Sequence, residues 1–248
     1  MGDSECEIPN DPDISQEDIE SGADLSDSDL SGAELKGVNL SNANLSGADL
    51  SDADFSEADL SDADLSEADL SRAELREADL SDSDLEDTNL YKASLYRTDL
   101  NGASLRKADL TDVFLRSGDL TSADLSFADF SGSNLINANL RSTDLGRSDL
   151  TDSDFSNTDL RHSNLQESRT TPDDLSRADL RGLDLSGQDL SGVNLSRADL
   201  RDVDLIGMSA NQGTTVGRMY TGLSRPDEYD ELAQGYHELK EALSREGL

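Results

Sequence analysis

A leucine recurs at every fifth residue. From Leu25 the row runs through Leu30, Leu35, Leu40, Leu45 and Leu50 as far as Leu165, with only Phe55, Phe130 and Phe155 replacing Leu, and it resumes from Leu175 to Leu205. Two residues before each member of the row sits a small residue: Ala23, Ala33, Ala43, Ala48, Ala53, Ala58, and elsewhere Ser, Thr or Val. Asp or Asn mostly stands between them, as in Asp24, Asn39 and Asn44, and Ser or Arg follows the leucine. A period of five matches neither the 3.6 of a helix nor the 2.0 of a flat strand. It matches a chain that turns a corner every five residues. Four sides then make a turn of about 20 residues, and successive turns stack at the usual strand spacing of ~4.8 Å. The large and small inward positions fill a narrow axis without voids. Each turn buries its apolar row only against its neighbours.

The tandem pattern, as in Ala48-Asp49-Leu50-Ser51-Asp52, resembles the pentapeptide-repeat family over residues 21–207, three-quarters of the chain. The resemblance implies an all-β, right-handed quadrilateral β-helix, here of about nine coils. It also implies a binding protein rather than an enzyme. Some bacterial members of the family mimic DNA and bind type II topoisomerases.

Composition alone reads differently. The 248 residues carry a formal net charge of −35, a balance that would ordinarily indicate disorder; the strict repeat overrides it. Residues 1–90 hold about 28 acids against Lys36, Arg72 and Arg76. The excess of Asp over Glu and of Arg over Lys resembles proteins of salt-loving archaea, where molar salt shortens the screening length to about 3 Å. Cys6 is the single cysteine, so no disulfide framework forms within the chain. No stretch approaches the ~18 apolar residues of a membrane span. The opening MGDSECEIPN lacks the basic and apolar regions of a secretion signal, which reads as cytoplasmic.

The segments divide as follows. Residues 1–20 form an acidic N-terminal cap or tail, with Ile8, Ile14 and Ile19 available to cover the open end of the coil. The repeats occupy 21–165 and 175–207. Between them, 166–174 lacks the pattern yet keeps phase, because Leu165 and Leu175 are ten apart. This segment is either a continuous coil with a distorted corner at Pro172 or a short excursion loop. On the continuous reading Ser168 and Thr170 face inward acceptably, and Asp173 is the one inward misfit. Residues 208–223 are a Gly-rich cap or linker with Met208, Val216 and Met219 as a plug. Residues 224–248 form an amphipathic helix: Ser224 and Asp227 resemble a capping box, Pro226 suits the first turn and Gly247 the end. Tyr229, Leu232, Tyr236, Leu239 and Leu243 make its apolar stripe, a candidate interface for a homodimer.

Three features point to partners. The first is acidic: residues 21–90 carry about one net charge per Å of rod, against one per ~1.7 Å of duplex axis. Asp52, Glu57, Asp62 and Glu67 are its candidate face. The second is apolar. Tyr96, Phe114 and Ile136 belong to sides whose centres differ by 20, with Arg116 between Tyr96 and Ile136, and Tyr91 and Phe127 are placed near the adjacent corner. A clustered apolar patch on a polar rod marks a contact surface. The third is the terminal helix. Its string from Ala233 through Tyr236 and His237 to Lys240 resembles the segment that follows pentapeptide arrays in archaeal proteins continuing into an ion-channel-like membrane domain.

Catalytic signals are missing. His162 and His237 have no neighbouring Cys and no metal-ligand spacing. The serines belong to the repeat and have no paired base. No phosphate-cradling Gly loop is present, bases are outnumbered, and no cofactor is implied. The expectation is therefore a non-catalytic scaffold with an unknown protein partner and no direct nucleic-acid binding. The alternatives are a topoisomerase-directed DNA mimic and the cytoplasmic part of a larger membrane-associated protein.

Overall fold

The computed structural model describes residues 14–168, 171–210 and 213–215. It is a four-sided β-solenoid. Nearly every described side contributes one ladder residue, mostly the Asp or Asn before the central leucine, and this residue pairs in parallel with the one 20 positions on, as in Asp49↔Asp69 and Asp69↔Asn89. Among the described residues no side forms a strand of ordinary length, because a corner follows the ladder residue.

The hydrogen bonds show why the repeat folds. The Leu50 N–H donates to Asp69 O at 2.8 Å, and the Asp69 N–H donates back to Ala48 O at 2.9 Å. The corner closes when Ala53 N–H donates to Leu50 O at 3.2 Å. Its third residue lies in the left-handed region, at φ 58° for Asp52 and 67° for Gly47. That combination is the signature of a type II turn, where Gly and Asn are cheapest and other residues carry strain. The ladder aspartate offsets some of this. Asp49 Oδ1 accepts from both the Ser51 N–H at 3.0 Å and the Ser51 hydroxyl at 2.6 Å, which clamps the corner. The Asp-Leu-Ser order of the repeat thus has a local cause. The hydroxyl of Ser31, in the same relation, holds the Asp29 carboxyl below its usual range.

The leucine row is buried throughout, with Phe130 and Phe155 in edge-to-face contact at 6.5 Å. Where the small position is polar, its hydroxyl is used internally. Thr88 donates to Leu65 O at 2.9 Å and Ser153 to Leu150 O. At the N-terminal end, Ile14 and Ile19 pack partly buried against the core around a 3-10 turn over Gln16–Asp18.

The chain stays in register across 166–174. Asp154 pairs with Asp174, and Leu175 N–H donates to Asn194 O at 2.9 Å. The inward placement of Asp173 is not what forms: Pro172 is buried and Asp173 is exposed. An apolar ring takes the inside place because a carboxylate there would be desolvated without a partner. Side chains mend the broken ladder. Gln166 Nε2 donates to Asp184 O at 3.2 Å, Gln188 Nε2 to Leu165 O at 3.1 Å, and the Thr171 hydroxyl to Asp189 O at 3.0 Å. Ser168 is half-buried and donates to Leu165 O; Thr170 lies outside the described residues.

Asp173 remains the strained element. Although it is exposed, partial desolvation raises its carboxyl above the usual range, and the neighbouring Asp152 carboxyl adds to this. A raised folded-state value favours folding at low pH and opposes it once pH climbs through that value. Asp173→Asn is therefore expected to raise Tm at pH 7 by about 1–3 °C. The difference should disappear near pH ~3, where the wild-type carboxyl is also neutral. Thermal melts at the two pH values check this.

The coil continues past 207. Ser209 pairs with Asp189 at the normal offset, and Thr215 then pairs with Asn194 after a slip of one residue. Met208 is buried at a small inward position, and Thr214 fills the next one. Cys6, Ile8, Val216, Met219 and the helix expected over 224–248, with Tyr229, Leu232, Tyr236, Leu239 and Leu243, lie outside the described residues.

Candidate interaction surface

The side carrying the ladder residues Ser94, Phe114 and Asn134 presents an exposed aromatic ring to the exterior. Phe114 sits between Ser94 and Asn134 in the ladder and is 57% exposed. At this position an Asp or Asn would clamp the following corner, so a phenylalanine gives up a local support and gains no burial. Such a departure from a local rule is expected at a functional surface. Tyr91 and Tyr96 stand at the two corners that bound this side. Lys92 Nζ lies 4.8 Å from the Tyr91 ring centre, and the Arg97 guanidinium 5.1 Å from that of Tyr96. Arg116 and Ile136 follow Tyr96 along the same corner.

Phe127 does not join this group. It lies ten residues, half a turn, from the corner of Arg116, with 20 residues to the turn. That places it on the diagonally opposite corner. There its ring sits between the Arg106 and Arg147 guanidinium groups, at 5.7 and 5.4 Å. Lys107 bonds Asp87 at 3.0 Å on one flank and Arg147 bonds Glu167 on the other. The corner is a self-contained ladder of charge and aromatic ring.

The acidic residues Asp52, Glu57, Asp62 and Glu67 do not form a face either. Each is exposed and occupies the left-handed corner position of one of four successive sides. Together they ring the rod. Asp52 is paired with Arg72, whose guanidinium holds its carboxyl low, and Glu57 with Lys36 at 2.9 Å. The uninterrupted acidic stripes are instead the ladder columns, such as Asp59, Asp79, Asp99 and Asp119. Counting by five finds the corners, whereas only counting by 20 finds the columns.

Among the described residues no group of three His, Cys, Asp or Glu side chains is placed to hold a metal ion. Also among them, no helix is long and apolar enough to cross a membrane. His162 is exposed at a corner. Ile206, 58% exposed, was not singled out by the repeat pattern.

A solenoid of five-residue sides around a Leu and Ala axis defines a repeat protein of the β-helix class. The sequence profile of pentapeptide repeats matches in 8 copies, over residues 21–56, 53–90, 88–126, 98–135, 128–166 and 174–207. The chain belongs to the pentapeptide-repeat family. Among solved structures it is similar to HetL, a pentapeptide-repeat protein involved in heterocyst differentiation regulation in the cyanobacterium Nostoc sp. strain PCC 7120. That likeness has 32% identity, covers 79% of this chain and 85% of HetL, and has a TM-score of 0.40. It is also similar to trypsin-treated QnrB1, a plasmid-mediated fluoroquinolone resistance protein, at 24% identity over 77% of this chain and 90% of that one, with a TM-score of 0.40. No curated protein matches the chain.

Proposed function

We propose that the rod is a non-catalytic protein-interaction scaffold whose contact face is the side of Phe114, bounded by Tyr91, Tyr96, Arg116 and Ile136. The observation that carries this reading is Phe114 itself, 57% exposed at a ladder position elsewhere filled mostly by a clamping Asp or Asn. Aromatic side chains flanked by arginine are the usual energetic anchors of protein interfaces. The rod supplies a rigid platform, so such anchors lose little freedom on binding. The same reading takes the coil as right-handed with about nine turns, and takes 224–248 as an amphipathic helix available for self-association.

A photo-crosslinking residue placed at 114 tests this in cells. It should trap one discrete protein partner, whereas the same residue at 127, half a turn away, should trap none. Phe114→Asp should abolish capture by a crosslinker at 96. Equal labelling from 114 and 127 would refute the assignment of the face.

The ladder columns favour a second reading, a protein that presents DNA-like charge to an enzyme with a basic channel. Stacked carboxylates at ~4.8 Å intervals resemble a phosphate backbone in density. Its target would be a type II topoisomerase, and the contact would fall within 21–90.

A further inference from the structure

We propose that the corner running through residues 116, 136–137, 156–157, 176–177 and 196–197 is a binding site for small polyanions that carry adjacent phosphoryl groups. The site lies beyond the apolar side and does not depend on the scaffold reading, although Arg116 and Ile136 border both.

The corner is hollowed by a change of side-chain size. Its first turn position is filled by Tyr96, Arg116 and Ile136 and then by Ser156, Ser176 and Ser196. The step from bulky residues to three serines leaves a groove of about 490 Å³, large enough for a small ligand. The second turn position carries Ser117, Asn137, Asn157, Arg177 and Arg197. No carboxylate occurs in either column from 96 to 197, in a chain with 55 acidic residues against 20 Lys and Arg.

The arginines of this groove are unengaged. Most cationic side chains among the described residues lie within 4.0 Å of a carboxylate, as Lys36, Arg72, Arg97, Arg106, Lys107 and Arg147 do. Arg116, Arg177 and Arg197 have no ion pair with a described residue. A neighbouring column on the same coils behaves in the opposite way. There Arg161, Arg181 and Arg201 fork onto Asp159, Asp179 and Asp199. Side-chain bonds from Arg161 and Arg181 hold the Asp159 and Asp179 carboxyls below their usual range. The ladder carboxylates that precede the groove serines are already engaged by the backbone. Asp154 and Asp174 accept from the Ser156 and Ser176 N–H groups, at 2.9 and 2.7 Å. A second groove on the far flank of Arg177 and Arg197 contains Asp179 and Asp199, both occupied by arginines of that other column.

Guanidinium forks backed by hydroxyl and amide donors are the chemistry of phosphoryl recognition. Arg177 and Arg197 are one coil apart, ~4.8 Å along the axis, a spacing suited to neighbouring phosphoryl groups of one condensed phosphate. Among the described residues no aromatic ring lines the groove, so recognition is of the phosphate chain. The net charge of −35 opposes anions at long range, so any binding must come from these local donors.

Isothermal titration of the full chain with inorganic tripolyphosphate, orthophosphate and ATP tests the site, with melting curves confirming that each variant is folded. Tripolyphosphate should bind at least tenfold more tightly than orthophosphate, and ATP should bind no more tightly than tripolyphosphate. Arg177→Gln with Arg197→Gln should weaken tripolyphosphate at least tenfold. Arg141→Gln, which removes a charge outside the groove that likewise has no ion pair with a described residue, should change it less than twofold. Absence of tripolyphosphate binding, equal affinity for orthophosphate, or an equal loss in the Arg141 variant would each overturn the proposal. A clear preference for ATP would overturn its restriction to the phosphate chain.

Discussion

Leu65→Asp is expected to remove the cooperative thermal transition or lower its midpoint by more than about 10 °C. Leu65 is fully buried, its N–H bonded to Asp84 O at 2.7 Å, with Leu45 and Leu85 one turn away on either side. An aspartate there places a carboxylate between two leucines with no donor to receive it. Burying an unpaired charge costs several kcal/mol, more than a cavity of the same size. The solenoid magnifies the damage, because the coils on both sides are held only by their neighbours. Leu65→Met conserves volume and should cost less than ~1.5 kcal/mol. Melting followed by circular dichroism separates the two variants. A midpoint that is the same for aspartate and methionine would mean that the leucine row does not face inward.

That row was readable because one period carries nearly all the packing. Leu and Ala at fixed offsets determine both inward positions, and Leu165 and Leu175 being ten apart preserve the phase that the Asp154↔Asp174 pair displays. What the period leaves unspecified is the local exchange at 172–173, since a five-residue rule assigns the inside to Asp173 and cannot weigh a proline ring beside it. The coil beyond 207 escapes the pattern for a similar reason. Met208 and Ala210 reverse the large and small places, and a one-residue slip precedes Thr215. The surface was only half legible. Tyr96, Phe114 and Ile136 fall on one side because their spacing carries the 20-residue turn. Phe127 is misplaced by a reading of sequence proximity, although 127 and 117 differ by half a turn. The arginine groove has no five-residue signal at all. Ser156, Ser176 and Ser196 look like ordinary members of the repeat until they are aligned at intervals of 20, where the missing carboxylates show.

Stability is expected to climb steeply with salt, by about 10 °C or more in Tm between 0.1 and 3 M KCl. The cause lies in the ladder columns. Asp59, Asp79, Asp99 and Asp119 stand directly above one another, one coil apart. Two like charges at ~4.8 Å repel by about 0.9 kcal/mol even in bulk water, and by more beside a protein surface. The screening length is ~10 Å at 0.1 M, so each carboxylate feels its neighbours along the column; at 1 M it is ~3 Å, and the repulsion between coils largely vanishes. The fold already relieves this in places. At several places where Asn interrupts a column its amide donates to the adjoining carboxylate, as Asn89 does to Asp69 at 3.0 Å and Asn164 to Asp144 at 2.8 Å. Asp79→Asn extends that device. The new side chain keeps the oxygen that clamps the Ser81 N–H and hydroxyl, at 2.9 and 2.6 Å, and removes one charge from the middle of a stack. It should therefore raise Tm at 0.1 M KCl and change it little at 3 M. A nonspecific salt effect on the apolar core would raise wild type and variant in parallel and leave their difference constant. Convergence of the two melting curves with salt is thus the diagnostic result, and a wild-type Tm that is flat from 0.1 to 3 M would refute the mechanism. The same screening bears on the DNA-like reading. If the columns are stable only where their mutual repulsion is screened, their attraction for a basic channel is screened as well. Contact would then depend on the shape of the rod and on short-range pairs at its corners.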